Sequence, residues 1–386
     1  MLIKNKTIAI VGGGPGGLTL ARLLQLKGAK VKVYERDFNK YARVQGSPLD
    51  LHEESGLAAL RQADLLDEFK NNYRSGADKK IIANEKGEIL FSDHADKPLE
   101  NFGSAYFRPE IDRGPLRNLL LESLLPETVV WNCHFISMEA QSEGWLMHFK
   151  NGTTAYADLV IAADGANSKI RPYLTDMAAF YTGITMVEIN IHAASKATPQ
   201  FHSMLDGGKM MAFGNSQGIL MGSKANDDLG FYLSVKTPLK SFDNKAFDYA
   251  DKVELLTWFK KEYSGWSDMW CDLIGNAEMP IIPRPIYCMP LDQSWQTLPN
   301  LTMLGDAAHV MPPFAGEGVN MAMLDALELS ENLTSIKFKN LHEAISEYEK
   351  AMRERASMAA KESLQNGELM HSENALNGML HMFSEH

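Results

Sequence analysis

The alternation of apolar and polar positions begins with a short β-rich run, Thr7 to Val11, which is followed at once by glycines. Leu18, Leu20, Leu23, Leu24 and Leu26 then fall at helix-compatible spacings, so the pattern predicts strand, tight turn and helix. Gly28 ends that helix, and Lys30 to Tyr34 predicts a second strand stopping at Glu35, which completes one βαβ unit. Polar residues predominate from Asp37 to Asp50, helical spacing returns over Glu53 to Phe69, and alternation follows from Lys79 to Phe91. Gly114 and Pro115 open a helix over Leu116 to Leu124, as expected for proline in a first turn. Strand-like pieces follow at Val129, Trp145 to Phe149 and Leu159 to Ala163.

From about Phe180 to Pro290 the pattern changes. Alternating stretches at Thr185 to His192, Lys209 to Phe213 and Phe231 to Lys236 are separated by turn residues and read as an inserted antiparallel sheet, partly covered by a helix around Trp258 and Phe259. Strand, glycine turn and helix then recur: Leu301 to Leu304 is a strand closed by Gly305 and Asp306, and Gly316 to Leu333 is a helix. The tail, 341–386, carries Met352, Met358, Leu364, Leu369 and Leu380 at helical spacing without a proline, which predicts one or two long packed helices. The expected fold is therefore α/β: a discontinuous Rossmann-like domain over 1–178 and 290–340, an antiparallel-sheet substrate domain over 179–289, and a C-terminal bridging helix over 341–386.

Composition narrows the function classes. At 386 residues the chain suggests about two domains. Its 45% hydrophobic and 23% charged residues are ordinary for a globular protein. A net charge of -11 offers no basic field for nucleic acid or an anionic membrane. Cys133, Cys271 and Cys288 form no CxxC pair, so a reducing cytoplasm is expected rather than a disulfide framework. The apolar opening is broken by glycines and a proline, so neither a membrane span nor a signal peptide is expected. No HExxH or similar metal spacing occurs among the eleven histidines, and no metal is expected.

The chemistry lies at the strand ends. Gly12-Gly13-Gly14-Pro15-Gly16-Gly17 satisfies GxGxxG directly after a strand and before a helix, the context that separates a dinucleotide fingerprint from chance. Gly12 permits the turn, Gly14 lets backbone approach a pyrophosphate, and Gly17 allows close helix packing. Glu35, 18 residues after Gly17, can accept both hydroxyls of an adenosine ribose, which favours FAD or NAD; Arg36 could instead accommodate a 2′-phosphate. The second half decides for FAD. Leu304-Gly305-Asp306-Ala307-Ala308-His309 is followed by Pro312-Pro313-Phe314-Ala315-Gly316-Glu317-Gly318 and a helix carrying Val319 and Asn320. Asp306 can bind a ribityl hydroxyl, and the positive end of that helix can face the edge of the flavin that gains negative charge on reduction. Ala163-Asp164-Gly165 places a third acid and glycine after a strand.

These three motifs, in this order, resemble the group A flavoprotein monooxygenases of the p-hydroxybenzoate hydroxylase type. Within that group, Val33-Tyr34-Glu35-Arg36-Asp37, Leu49-Asp50-Leu51-His52, Pro109-Glu110-Ile111, Arg113 and Pro312-Pro313-Phe314-Ala315-Gly316 are similar to the tetracycline-inactivating monooxygenases. The resemblance implies that Glu35 binds the ribose, that Asp50, Arg113, Asp164 and Asp306 bind FAD, and that Arg43 lies near FAD or incoming NADPH. Arg117, one helical turn after Arg113, is a further flavin candidate. For each arginine a surface salt bridge is the plain alternative. Pro313, Phe314 and Gly316 would lie in a loop at the flavin, Phe314 towards substrate. Glu188, Lys209 and Gly230 stand where the drug-inactivating enzymes tend to have Gln, Arg and His contacting the drug; these exchanges alter hydrogen bonding, or the three are ordinary sheet residues.

No Ser/His/Asp nucleophile arrangement is evident, so no catalytic side chain is assigned and the cofactor is expected to carry the chemistry. No second GxGxxG stands between Gly28 and Gly305, so NADPH is expected as a transient reductant. With O2 as co-substrate, the expectation is a monomeric monooxygenase that hydroxylates an electron-rich phenol or enol, a tetracycline being one candidate. His309 reads either as a proton shuttle or as a core histidine donating to a carbonyl. A flavin-dependent dehydrogenase or reductase, and a flavin-loaded binding protein without turnover, are the rival readings.

Overall fold

The structure, a computed structural model, describes residues 2–41, 48–95, 101–104, 106–242 and 247–384. The chain divides into two compact units. The first contains Met1–Tyr73, Phe102–Phe180 and Cys288–Glu362, and the second Arg74–Asn101, Tyr181–Tyr287 and Ser363–His386. Among the described residues no helix is long and apolar enough to cross a membrane.

The first unit is organised by a five-stranded sheet in the order Leu301–Met303, Leu159–Ala162, Thr7–Val11, Lys30–Tyr34, Val129–Val130. Every pairing in it is parallel. Parallel strands need both faces covered, which is why Leu159–Ala162 reads as an unbroken apolar run and is wholly buried. Thr7–Val11 lies inside the sheet: the chain passes from it to Lys30–Tyr34 on one side and later returns to Leu159–Ala162 on the other. This is a topological switch point, where a crevice opens beyond the carboxyl ends of the strands.

The glycines at that edge answer to measurable crowding. Gly12 has φ +113°, and a Cβ there would stand 2.1 Å from the Ala163 carbonyl oxygen. Gly17 lets the Pro15–Leu26 helix return onto its own strand, since a Cβ would lie 2.2 Å from the Gly12 carbonyl oxygen. The same helix packs against Gly318–Thr334. Further elements are an antiparallel sheet of Phe135–Gln141, Gly144–Phe149 and Thr154–Ala157, and a short pair, Leu49–Asp50 with Glu110–Ile111. The helix expected over Leu116 to Leu124 spans Arg113–Glu122. The helical pattern near Glu53 to Phe69 is two helices, Gly56–Gln62 and Leu66–Lys70, with Asp64 at φ 58° between them.

The second unit carries a seven-stranded sheet, in the order Ile282–Cys288, Phe180–Ile191, Leu229–Lys236, Gln217–Ser223, Lys209–Gly214, Lys80–Asn84, Ile89–Ser92. Three successive pairings from Phe180–Ile191 to Lys209–Gly214 are antiparallel. Lys209–Phe213 then pairs parallel with Lys80–Asn84, so a segment from the first quarter of the chain completes this sheet. One face is the core, where Val187, Ile189, Phe231, Leu233 and Ile219 meet Phe259, Tyr263 and Trp270. The latter three come from the end of Lys252–Glu262 and from Met269–Gly275. Asp251 starts the longer of these helices by accepting from the Val253 and Glu254 amides at 2.8 and 3.2 Å, a side-chain N-cap. The tail forms Leu341–Met370 and Ala375–Ser384.

Gly12→Ala is expected to unfold the first unit, because a methyl group at 2.1 Å from a carbonyl oxygen cannot be accommodated, and the positive φ adds strain. The loss should exceed about 3 kcal/mol and be visible as a collapsed thermal melt; an unchanged melting temperature would refute the account.

Candidate cofactor site

Because Leu301–Met303, Leu159–Ala162 and Thr7–Val11 are neighbours running in one direction, their following turns are delivered to one edge of the sheet. These are the turns at Gly305, Asp164 and Gly12. Arg171, 8% exposed, stitches two of them together. Its Nε donates to Ala307 O at 2.7 Å, and Nη2 donates to Asp306 O and Ala166 O, both at 2.9 Å. Burial pulls the Arg171 pKa down while Asp164 and Asp306 oppose the shift. The sequence displays Arg171 beside the Asp164 motif without revealing this role, since two of its partners are carbonyls 135 and 136 positions away.

At the fingerprint, Glu35 is 2% exposed. One carboxylate oxygen accepts from Gly13 N at 2.5 Å and the other from Asp37 N at 3.0 Å, so the acid is fixed beside the glycine turn before any ribose arrives. The Pro15–Leu26 helix starts without a side-chain cap or an acid in its first turn, and a Cβ on Gly14 would meet nothing within 4 Å. Uncapped N–H groups at a helix start next to open space suit a pyrophosphate. The residues present therefore fit an adenine dinucleotide. Arg36 is exposed. Arg117 is 7% exposed and is engaged locally: it donates to Asp37 Oδ2 at 2.9 Å and Lys40 O at 3.1 Å, with its guanidinium 5.5 Å from the Trp131 ring centroid. Arg43 lies outside the described residues.

The second half of the site surrounds Asp306 and Gly316. Asp306 is reached by solvent yet ringed by enough protein that desolvation raises its pKa, against the opposing charges of His309, Arg113 and Arg171. Arg113 thereby acts on Asp306 from the start of its own helix. Asp164 is likewise raised by desolvation, and its Oδ2 accepts from Lys169 N at 2.9 Å. Gly316, at φ +71°, would place a Cβ 3.3 Å from both Asp50 carboxylate oxygens. Asn320, fully buried, accepts from His52 N at 2.9 Å and donates to Asp50 O at 3.0 Å and Gly316 O at 3.2 Å. Val319 packs on the core, whereas Pro313 is exposed and Phe314 half-buried.

Beneath the Asp306 turn lies a buried ionic chain that no motif in the sequence announces. His309 Nε2 and Asp325 Oδ2 are 2.6 Å apart, with side chains 2% and 1% exposed. The same Asp325 oxygen accepts from Gly305 N at 2.9 Å. Its other oxygen accepts from Arg355 at 2.8 Å, and Arg355 also holds Glu328. Burial alone would favour both neutral forms, but Asp325 raises the His309 pKa, and His309 and Arg355 lower that of Asp325. His309 thus donates to a carboxylate rather than to a carbonyl. Asp325 shares the Ala322, Ala326, Leu329, Leu333 stripe at helical spacing, a signal that could have marked it as buried.

The expected substrate residues of the second unit, Glu188, Lys209 and Gly230, share one sheet face. Glu188 pairs across to Tyr232, Leu220 and Met211, and Asn190 to Gly230, Gly222 and Lys209; residues two apart on a strand point the same way. Glu188 is 5% exposed and its carboxylate accepts from Arg284 Nε. A Cβ on Gly230 would lie 2.7 Å from Lys224 Cε, and Lys224 Nζ donates to Asn190 Oδ1 at 2.6 Å. Phe314 belongs to the first unit.

Three comparisons bear on this geometry. The FAD binding domain family model matches residues 5–113 and 295–363, the segments that bring the Gly12, Asp50, Arg113 and Asn320 regions. The monooxygenase penA of Penicillium thymicola is 27% identical over 95% of this chain and 96% of its own. The structure of Klebsiella pneumoniae HpxO with FAD and uric acid superposes with TM-score 0.75 at 18% identity, covering 98% of this chain and 92% of that one. The tetracycline destructase Tet(55) superposes at 0.74 and 18%, covering 97% and 92%.

Asp325→Asn should cost about 3 kcal/mol in urea unfolding, because it removes the buried carboxylate that His309 and Arg355 share. The Asp325 pKa is depressed in the folded chain, so its contribution is present above the unfolded carboxylate pKa and lost as pH falls through the folded value. The variant should therefore lose less stability on acidification than the parent, and equal acid slopes would contradict the assignment.

Proposed function

We propose that this FAD-dependent monooxygenase uses NADPH and O2 to hydroxylate an electron-rich phenol or enol. The observation that carries the reading is the convergence of the Gly12, Asp164 and Gly305 turns on one edge of a parallel sheet. In this reading Glu35 takes the adenosine ribose, the uncapped helix start at Gly14 to Gly17 takes the pyrophosphate, and Asp306 with Arg113 takes the ribityl chain. Asp50, Asp164, Gly316, Val319 and Asn320 shape the remainder, and Arg36, Arg43 and Arg117 supply positive charge along the adenosine side and to the visiting NADPH.

Bound FAD supplies hydride acceptance and oxygen activation; the chain's own residues position and desolvate. The start of Gly318–Thr334 directs backbone N–H groups and the positive end of its dipole at the Pro313 to Gly316 loop, which favours anionic charge developing there. Substrate recognition by the second unit falls to its sheet face with Glu188, Lys209 and Gly230. The likeness in fold to a tetracycline destructase makes a tetracycline one candidate. The Glu188–Arg284 pair and the Lys224 stem over Gly230 give the face its own hydrogen-bonding character, so small hydroxylated aromatics belong in the same trial.

Aerobic incubation of the purified, FAD-loaded protein with NADPH, isotopically labelled O2 and a panel of tetracyclines and small phenols is expected to give a product that has gained one labelled oxygen atom. NADPH oxidation with unlabelled product would instead identify a reductase, and binding without NADPH oxidation a flavin-loaded sequestering protein.

A further inference from the structure

His52 takes no direct part in the proposed FAD cradle, yet it occupies a telling position. Its Nε2 lies 3.1 Å from Asp50 Oδ2 and its Nδ1 3.3 Å from Glu317 Oε1, and the residue is only 9% exposed. An ionised carboxylate only accepts hydrogen bonds, and a neutral imidazole has one N–H to give. Both contacts are satisfied together only when both ring nitrogens carry hydrogen.

We propose that His52 is a positioning residue that, as an imidazolium clamped between Asp50 and Glu317, fixes the Asp50 carboxylate against the Gly316 turn and so makes FAD retention depend on one proton. The inference rests on the reading that Asp50 and the Gly316 to Asn320 turn hold FAD. The backbone on either side is already tied by Asn320, which reaches His52 N, Asp50 O and Gly316 O, and Ser55 Oγ donates to Asn320 Oδ1 at 3.2 Å. What the imidazolium adds is control of two acidic side chains. The Asp50 oxygens stand 3.3 Å from the space a side chain on Gly316 would take, so a shift of that carboxylate alters the wall of the turn itself. Removing the proton leaves one carboxylate facing a ring lone pair and restores the repulsion between Asp50 and Glu317.

Burial opposes the His52 proton; among the described residues the charged groups facing it are Asp50 and Glu317, which favour the proton, and Arg108, which opposes it, and the carboxylates prevail and carry the pKa to about 9. Because the folded value lies above that of a free histidine, about 6.5, the clamp is intact below the unfolded value and is lost as pH rises through the folded one.

The test is the FAD dissociation constant of the full chain, measured by flavin fluorescence from about pH 7 to about pH 10, for the parent, His52→Gln and Glu317→Gln. The parent should hold FAD evenly at neutral pH and weaken by about tenfold across the alkaline limb, the scale of one charge-assisted hydrogen bond. His52→Gln, whose amide cannot donate to both carboxylates, should start at the weak level with a flat profile, which also controls for titration of the flavin. Glu317→Gln removes one of the two carboxylates and should move the alkaline limb to lower pH. Thermal melts of the apo forms establish that each variant folds. Parallel pH profiles in all three would overturn the proposal while leaving the FAD site standing; a parent that takes up no FAD at any pH would instead overturn the reading of the site.

Discussion

The contact on which the first unit depends is between backbone and backbone: the Ala163 carbonyl occupies the space where a side chain on residue 12 would stand. Two parallel strands can end that close together only if one continues into a glycine with positive φ. Once they do, the register of Ile8 with Leu159 through Val11 with Ala162 brings the fingerprint turn and the Asp164 turn side by side. Leu301–Met303 adds the Gly305 turn on the same edge. The site is thus a consequence of sheet order, and Arg171 makes it rigid by binding carbonyls of the Asp164 and Asp306 turns at once.

Charge is arranged on that frame in alternation. Arg355 pairs with Asp325, and the buried Asp325 with the buried His309, whose proton it favours, and Asp306 follows with Arg113 and Arg171 acting on it. Burying ions is costly, and such pairs are weak grounds for stability. The apolar sheet and the Pro15–Leu26 and Gly318–Thr334 helices offset that cost. What the ions gain is position. Asp325 holds the Gly305 amide and His309 together, and Glu349, fully buried, accepts from Thr302 Oγ1 at 2.8 Å and Thr297 Oγ1 at 2.6 Å. Leu341–Met370 therefore grips the edge strand and the segment before it through polar contacts as well as through Ile345, Tyr348 and Met352.

Legibility followed the range of the interactions. The Thr7 to Glu35 unit can be read because its strand, glycine turn and helix are determined by residues within a few positions of one another. The Leu301 strand and Gly305 turn are legible for the same reason. The parallel pairing of Lys80–Asn84 with Lys209–Phe213 is not: alternation shows that a segment is a strand and leaves its partner open. Side chains behave likewise. Glu188 reads as a polar residue on a sheet until Arg284, 96 positions away, is seen beside it. Spacing from Arg113 points Arg117 at the flavin, whereas its engagement with Asp37, Lys40 and Trp131 spans up to 80 positions.

The turn at Gly316 shows how two kinds of polar group divide the work of holding distant segments. The Asn320 amide is fully buried with both its oxygen and its nitrogen engaged, so its orientation is dictated by its partners and it is insensitive to pH. It fixes where the backbone of residues 50 to 55 passes the helix start, across 268 positions of sequence. An amide network of this kind cannot decide where two nearby carboxylates point, because each would seek solvent or separation from the other. A third group with two donors and a fixed ring geometry can, and a doubly protonated histidine offers an N–H on either edge of a small rigid ring. Shape is therefore set by groups that do not titrate, and the acidic lining of the turn by one that does.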